Sequence, residues 1–219
     1  MQKSQKNYNV QVLDGHYSEN TYLSISRWST YSETIREVLK IRPKTILEIG
    51  PGPGMVTAAL KKIGFSIKTL DIDESLQPDY QLSVTDEKLG DLPEKFDLVV
   101  ASEVFEHIVY DDFLMALKRI RGVTDGIILT LPDTNRKSLF FSIRLRLPLF
   151  NKLIISLKLR YGRVSHTFDG QHYWEIGTKS NPDKKVMKDI EQCGWDVVDN
   201  YINIDNPYHR IIILKKKEL

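Results

Sequence analysis

Residues 45–57, TILEIGPGPGMVT, constrain the fold more than any other stretch of the chain. Residues 44–49 read as a short apolar strand whose one acid is Glu48. Three glycines and two prolines follow at once, and then a helical run over residues 55–63 with Gly64 as its C-cap. Glycines at a strand-to-helix turn permit sharp backbone angles and let a ligand approach the main chain with no Cβ in the way. The helix behind them offers unpaired N–H groups and a positive dipole end. A ligand carrying a carboxylate or phosphate is therefore expected at this loop.

Strand and helix signals alternate on both sides of it. Residues 65–71 and, more weakly, 80–84 read as strands; 96–102 (FDLVVAS) is apolar on both faces, and 126–131 (GIILTL) is closed by Pro132. Two-faced apolar strands belong inside a parallel sheet. The capping-box pattern from Thr30 to Glu33 predicts a helix carrying Ile35, Val38 and Leu39 and ending before Pro43. Asp111 or Asp112 is expected to cap a helix bearing Phe113, Leu114, Leu117 and Ile120. A last helix opens at Asn181-Pro182 and closes at Gly194. Two β-rich runs, 195–204 and 208–214, joined by Asp205-Asn206-Pro207, predict an antiparallel hairpin. The pattern is that of an α/β, doubly wound, mostly parallel sheet finished by a hairpin. At 219 residues a single domain is expected.

The order Gly50-Pro51-Gly52-Pro53-Gly54, preceded by Glu48, resembles motif I (E/D-x-G-x-G-x-G) of the class I S-adenosylmethionine-dependent methyltransferases. Asp71, in IKTLDID, matches that family's ribose-binding acid, at the ~20-residue distance suited to a carboxylate gripping ribose hydroxyls. FDLVVASEVFEHI and LTLPDTN resemble the fourth- and fifth-strand segments of the ubiquinone-biosynthesis-like, "type 11" branch. The likeness covers roughly residues 30–135 plus the C-terminal hairpin, which matches the family's reversed seventh strand. It implies a Rossmann-like seven-stranded sheet and S-adenosylmethionine as cofactor, with S-adenosylhomocysteine as product. The cofactor-binding residues it implies are Glu48, Gly50, Gly52 and Gly54, then Asp71 and Ile72, then Ser83, Val84, Ser102 and Glu103. The third-strand region QLSVTDE carries no acid where the family often has one, so Asp86 enters only after a slip. A nicotinamide enzyme is disfavoured by the G-x-G-x-G spacing and by the hairpin. A non-catalytic cofactor-binding or regulatory protein on the same fold is the alternative.

Methyl transfer needs alignment and desolvation, and a base when the acceptor must lose a proton. His107 follows the fourth strand at the ligand-binding edge, and HTFDGQHYWEIG supplies His172 and Glu175 as further catalytic candidates. His166, Asp169, His172 and Glu175 fit no tight metal-ligand spacing, and no metal is expected from them. Residues 1–42 are expected to form a helical N-terminal cover, with Tyr17, Tyr22, Arg27, Trp28 and Tyr31 over the cofactor, and 136–180 a lid insert.

Between Asp133 and Asp169 there is no acid. Eight cations (Arg136, Lys137, Arg144, Arg146, Lys152, Lys158, Arg160 and Arg163) interleave there with leucine, isoleucine and phenylalanine. A pair of lid helices, apolar inward and basic outward, is the leading expectation; contact of residues 137–163 with an anionic membrane is the other. A small-molecule, glycan or lipid-linked acceptor suits either. The net charge of +2 gives no case for nucleic acid, and Asn206-Pro207-Tyr208 lies in the hairpin, where it reads as a turn. One cysteine, Cys193, and a polar N-terminus predict a cytoplasmic setting, with peripheral membrane contact as the variant.

Overall fold

The computed structural model describes residues 8–10, 17, 22–147 and 150–218, with side chains left undescribed over 146–147 and 150–153. The rest of the 1–28 arm lies outside the described residues. Seven strands form one sheet in the order β3-β2-β1-β4-β5-β9-β8. β1 (Thr45–Ile49) pairs in parallel with β2 (Ser66–Asp71) and β4 (Leu98–Ser102), β2 with β3 (Tyr80–Gln81), and β4 with β5 (Gly126–Pro132). β9 (His209–Lys216) runs antiparallel to β5 and to β8 (Trp195–Ile202). The chain is thus α/β with a C-terminal hairpin, as the sequence predicts.

Helices cover both faces. On one, α1 (Ile25–Ile41) and α2 (Met55–Ile63) bury Val38, Val56 and Leu60 with Ile46, Val100 and Ile128 of the strands. On the other, α3 (Tyr110–Ile120) and α4 (Asp183–Gln192) bury Phe113, Leu117, Val186 and Ile190 with Val99, Ala101 and Leu129. Trp174 and Trp195 are the largest fully buried side chains there. Their indole N–H groups donate to the carbonyls of Phe105 (3.0 Å) and Leu117 (2.9 Å), which lets an amphipathic ring sit in the core without an orphaned donor.

Local boundaries differ from expectation in three places. α1 starts before Thr30, because Ser24 caps it by accepting from the Arg27 N–H at 3.2 Å and nothing from 25 to 30 breaks a helix; Thr30 instead donates back to Ser26 O. Neither Asp111 nor Asp112 caps α3: Val109 holds that position, and the two acids lie in the first turn, where the helix dipole favours them. β3 keeps only Tyr80–Gln81, since Ser83 turns the chain through its bond to Thr85 Oγ1 (2.8 Å).

The insert is not helical. β6 (Ser138–Leu147) and β7 (Phe150–Arg160) form a separate two-stranded antiparallel ribbon. Its register sets Leu139 opposite Leu159, Phe141 opposite Leu157 and Ile143 opposite Ile155. These six side chains share one face and are each 48–56% exposed. The ribbon is anchored by Asp133, a wholly buried carboxylate just after β5 that meets Lys158, Arg160 and, at 2.8 Å, the Arg210 Nε. Arg160 also grips Asp183 at 2.6 Å, and Arg144 pairs with Asp205. Three of the eight cations therefore neutralise acids of this protein. The side chains of Arg146 and Lys152 lie outside the described residues.

Candidate active site

The turn after β1 is built from left-handed residues. Gly50, Gly52 and Gly54 have φ of 67°, 53° and 74°. The Gly50 N–H donates to Leu70 O at 2.9 Å, and a Cβ at Gly50 would collide with Val104. Gly54 closes the turn, its N–H donating to Pro51 O (3.0 Å) while its carbonyl accepts from Ala58 N–H (2.8 Å) as α2 begins. Above this turn, at the carboxyl ends of β1, β2 and β4, opens a cavity of about 540 Å³. That is the crevice where open α/β sheets bind ligands, because the strand order reverses there.

The cavity wall includes Glu48, Gly50, Gly52, Asp71 and Ile72, and further along Ser83, Val84, Ser102 and Glu103. Gly54 does not line it; its role is the helix cap. Asp86 does not line it either, and caps a short turn by accepting from Lys88 N–H. Asp71 Oδ1 accepts from the Asp73 N–H at 2.9 Å, and burial, helped by the Asp73 charge, holds its carboxyl above the usual range. Glu48 sits beneath the loop, 4% exposed, accepting from the Thr57 hydroxyl; burial pushes its pKa up to about 7. Of the N-terminal cover, Tyr17, Tyr22, Arg27 and Tyr31 line the cavity, with the Arg27 guanidinium 4.4 Å from the Tyr22 ring centre. Trp28 does not; it is half-exposed and packs edge-on against Tyr31.

The opposite end is acidic and imidazole-rich. Glu103 holds a left-handed backbone (φ 56°), an uncommon state for a non-glycine residue, and its Oε2 lies 3.0 Å from His209 Nε2. Burial raises its carboxyl, but the His209 charge and hydrogen bond outweigh that and set it below the ordinary value. Glu106 is fully buried and neither of its oxygens has a hydrogen-bond partner; burial and the adjacent Glu103 charge push it far up. His107 Nδ1 lies 3.2 Å from Gln171 O, and burial, with the nearby His172 charge, keeps its pKa below 6.5. His172 packs edge-on to His107, with ring centres 5.2 Å apart, and its Nδ1 lies 3.2 Å from the Tyr208 hydroxyl. Tyr208 spends its own proton on Glu175 Oε1.

The candidates HTFDGQHYWEIG supplied thus divide. His172 lines the cavity, whereas Glu175 stands behind Tyr208 and does not. Burial raises the Glu175 carboxyl, but bonds from His172 and Tyr208 bring it below the ordinary value. His166 Nε2 contacts the His172 carbonyl at 2.9 Å, and Asp169 Oδ1 accepts from the N–H groups of Gln171 and His172, so both shape the loop that presents His172. Among the described residues, 138–160 do not line the cavity. Glu106, Tyr208 and His209 line it without having been singled out as site residues. The repeat Glu103-x-x-Glu106-His107 was the available sign, since such spacing at a strand end puts two acids on one turn.

A family described as "Methyltransferase domain" matches residues 24–173, and the chain belongs to it. No curated protein sequence matches the chain. Among solved structures, the chain is similar to the glycopeptide N-methyltransferase MtfA complexed with S-adenosylhomocysteine, at 14% identity and TM-score 0.58 over 85% of this chain and 89% of that one. It is similar to a Burkholderia thailandensis 1,6-didemethyltoxoflavin-N1-methyltransferase at 13% identity and TM-score 0.60, covering 93% and 84%. It is also similar to the magnesium protoporphyrin IX methyltransferase ChlM of Synechocystis PCC 6803, at 12% identity and TM-score 0.57, covering 88% and 81%. Identities this low speak for the shared fold.

Proposed function

We propose that the chain is an S-adenosylmethionine-dependent methyltransferase acting on a small-molecule, glycan or lipid-linked acceptor. The observation that carries this reading is the two-ended cavity: bared main chain with Asp71 at one end, and a buried carboxylate–imidazole cluster at the other. The residues fit the cofactor. Gly50 and Gly52 leave space for its amino-acid tail, Arg27 offers that tail's carboxylate a cation, and Asp71 offers its ribose two acceptor oxygens. Ile72, Ser83 and Val84 line the wall beyond, where its base would lie, and Ser102 and Glu103 flank the route to the acceptor. When bound, S-adenosylmethionine supplies an electrophilic methyl group, which this chain has only to align and keep from water.

At the acceptor end the tautomers are set by their partners. A carbonyl can only accept, so His107 donates from Nδ1 and carries its lone pair on Nε2. The Tyr208 O–H donates its hydrogen bond to Glu175, so its oxygen accepts from His172 Nδ1–H, which puts that ring's acceptor position on Nε2. Two imidazoles so held aim their Nε2 atoms away from these partners, where a proton or a ligand can be taken up.

Calorimetry with S-adenosylhomocysteine and with NAD tests the reading. The first should bind and the second should not, and Asp71→Ala should weaken the first by roughly 10–100-fold, the worth of one or two charge-assisted hydrogen bonds. Unchanged affinity in Asp71→Ala would remove Asp71 from the cofactor site. Binding of neither nucleoside would return the chain to the non-catalytic alternative.

A further inference from the structure

We propose that Glu106, His107 and His172 form a binding site for one divalent transition-metal ion at the acceptor end of the cavity. One donor atom from each of the three lies within 4.8 Å of the other two. This set differs from His166, Asp169, His172 and Glu175, of which only His172 faces the cavity.

Four observations support the site. Glu106 is 0% exposed, lines the cavity, and has no hydrogen-bond partner at either oxygen. Glu103 Oε1, two residues ahead of the turn that carries Glu106, is a further buried oxygen with no donor, and the two carboxyl groups are close enough to share a proton when no cation is there. Burying two adjacent carboxyl groups with orphaned oxygens is costly unless a cation or protons compensate. The imidazoles are also oriented as ligands are. Metal-bound histidines donate their other ring N–H to a carbonyl or carboxylate system, and here Gln171 O takes His107 while the Tyr208–Glu175 pair takes His172. The backbone holds the parts together. Glu106 and His107 share one short 3₁₀ turn, and the Tyr173 N–H donates to Glu106 O at 2.8 Å, which ties the His172 loop to that turn. Finally, the spacing is within reach of coordination. His107 Nε2 and Glu106 Oε1 are 3.9 Å apart and the three donors lie within 4.8 Å of one another, whereas a tetrahedral site with bonds near 2.0–2.1 Å needs about 3.3 Å, so closing on an ion takes side-chain movements of about 0.5 Å for that pair and up to about 1.5 Å for the others.

Two imidazoles and one carboxylate suit manganese, iron, cobalt or zinc better than magnesium or calcium, which prefer oxygen. Three protein ligands leave positions open toward the cavity. The use we assign to the ion rests on the methyltransferase reading: it favours an acceptor with a hydroxyl, whose acidity rises on coordination. The acceptor O–H then gives its proton to water. The oxygen pair forms the new O–C bond to the methyl group, and the C–S bonding pair returns to sulfur.

The test is titration of the metal-stripped 219-residue chain with Co²⁺ and with Mn²⁺, in the absence of any nucleoside. One ion per chain is expected, with a visible Co²⁺ spectrum showing nitrogen ligation. His107→Ala, His172→Ala and the isosteric Glu106→Gln should each lose tenfold or more in affinity, and Asp71→Ala should bind the ion as wild type does. Circular dichroism on each variant identifies any that fail to fold, and the Glu106→Gln titration then decides. No stoichiometric ion in the folded wild type, or equal affinity in a folded Glu106→Gln, overturns the proposal. S-adenosylhomocysteine binding without ion binding defeats this inference and leaves the methyltransferase reading standing. Ion binding without nucleoside binding does the reverse.

Discussion

Glu48 gives the sharpest test of how the glycine loop is supported. The residue is the last but one of β1, 4% exposed, with the Thr57 hydroxyl as its hydrogen-bond donor. Burial raises its pKa from an ordinary 4.5 to about 7, against the partial relief of the Thr57 bond and the Lys61 charge. The native state therefore holds this proton more tightly than the unfolded chain. Stability from this group is complete below about pH 4.5, declines as pH rises, and is lost by the time pH passes about 7. Between pH 5.5 and pH 8 those two values give a loss of about 2 kcal/mol. Glu48→Gln keeps an acceptor for Thr57 and cannot ionise, so the loss should vanish in it. Denaturant unfolding of both proteins at both pH values isolates the effect, because every other titrating group cancels in the double difference. The expected difference corresponds to about 4–8 °C in Tm for a chain of this size. Parallel pH dependences in the two proteins would refute the reasoning, by showing that water or relaxation solvates this carboxylate.

Three other outcomes follow from the same structure. Gly52→Ala and Gly54→Ala should each cost about 1–2 kcal/mol of stability, the left-handed penalty for a residue with a Cβ, but only the cavity-lining Gly52→Ala should also lower S-adenosylhomocysteine affinity in calorimetry. Asp133→Ala should destabilise by about 3–5 kcal/mol in urea melts, because it leaves Lys158, Arg160 and Arg210 without their shared anion. For the membrane variant of the partner reading, the half-exposed leucine, isoleucine and phenylalanine ladder of the ribbon offers ~1 kcal/mol per side chain on complete burial. Flotation should then fall when Phe141 and Leu157 are replaced by Ser, and anionic lipid content should matter less than eight cations would suggest, because Lys158, Arg160 and Arg144 are matched within the protein.

What could be read from the chain, and what could not, follows the range of the forces involved. The β1 loop, the acid ending β2 and the terminal hairpin were legible because each is a local rule: glycine for positive φ, alternation of strand and helix, a short turn between β-rich runs. The ribbon was misread although its period was present. Leu139, Phe141, Ile143 and Leu145 recur at every second position, as do Leu153, Ile155, Leu157 and Leu159, a period of two blurred by the apolar Phe140 and Ile154 between them. The basic residues between them drew attention to amphipathic helices, yet charge says little about period. Asp133 was invisible as an anchor, since its three cations come from 25 to 77 positions away.

The acceptor end was the least legible part for the same reason. Glu103, Glu106 and His107 are adjacent in sequence, but what they can do depends on His172, Tyr208 and His209, which arrive from a loop and from the last hairpin. Taken singly, each has an ordinary structural use: an ion pair, a turn, a bond to a carbonyl. Only their convergence leaves a buried carboxylate with no donor beside two imidazoles of fixed tautomer. The cavity that group faces is the one that opens on the glycine loop. The two ends of that cavity are joined through β4: Ser102 at its end and Glu103 just beyond sit between the loop of β1 and the Glu106 turn. Methyl donor and acceptor would therefore be aligned by one strand, so a change that shifts the end of β4 should disturb both sites together, while changes at Asp71 or at His172 should be felt at one end alone.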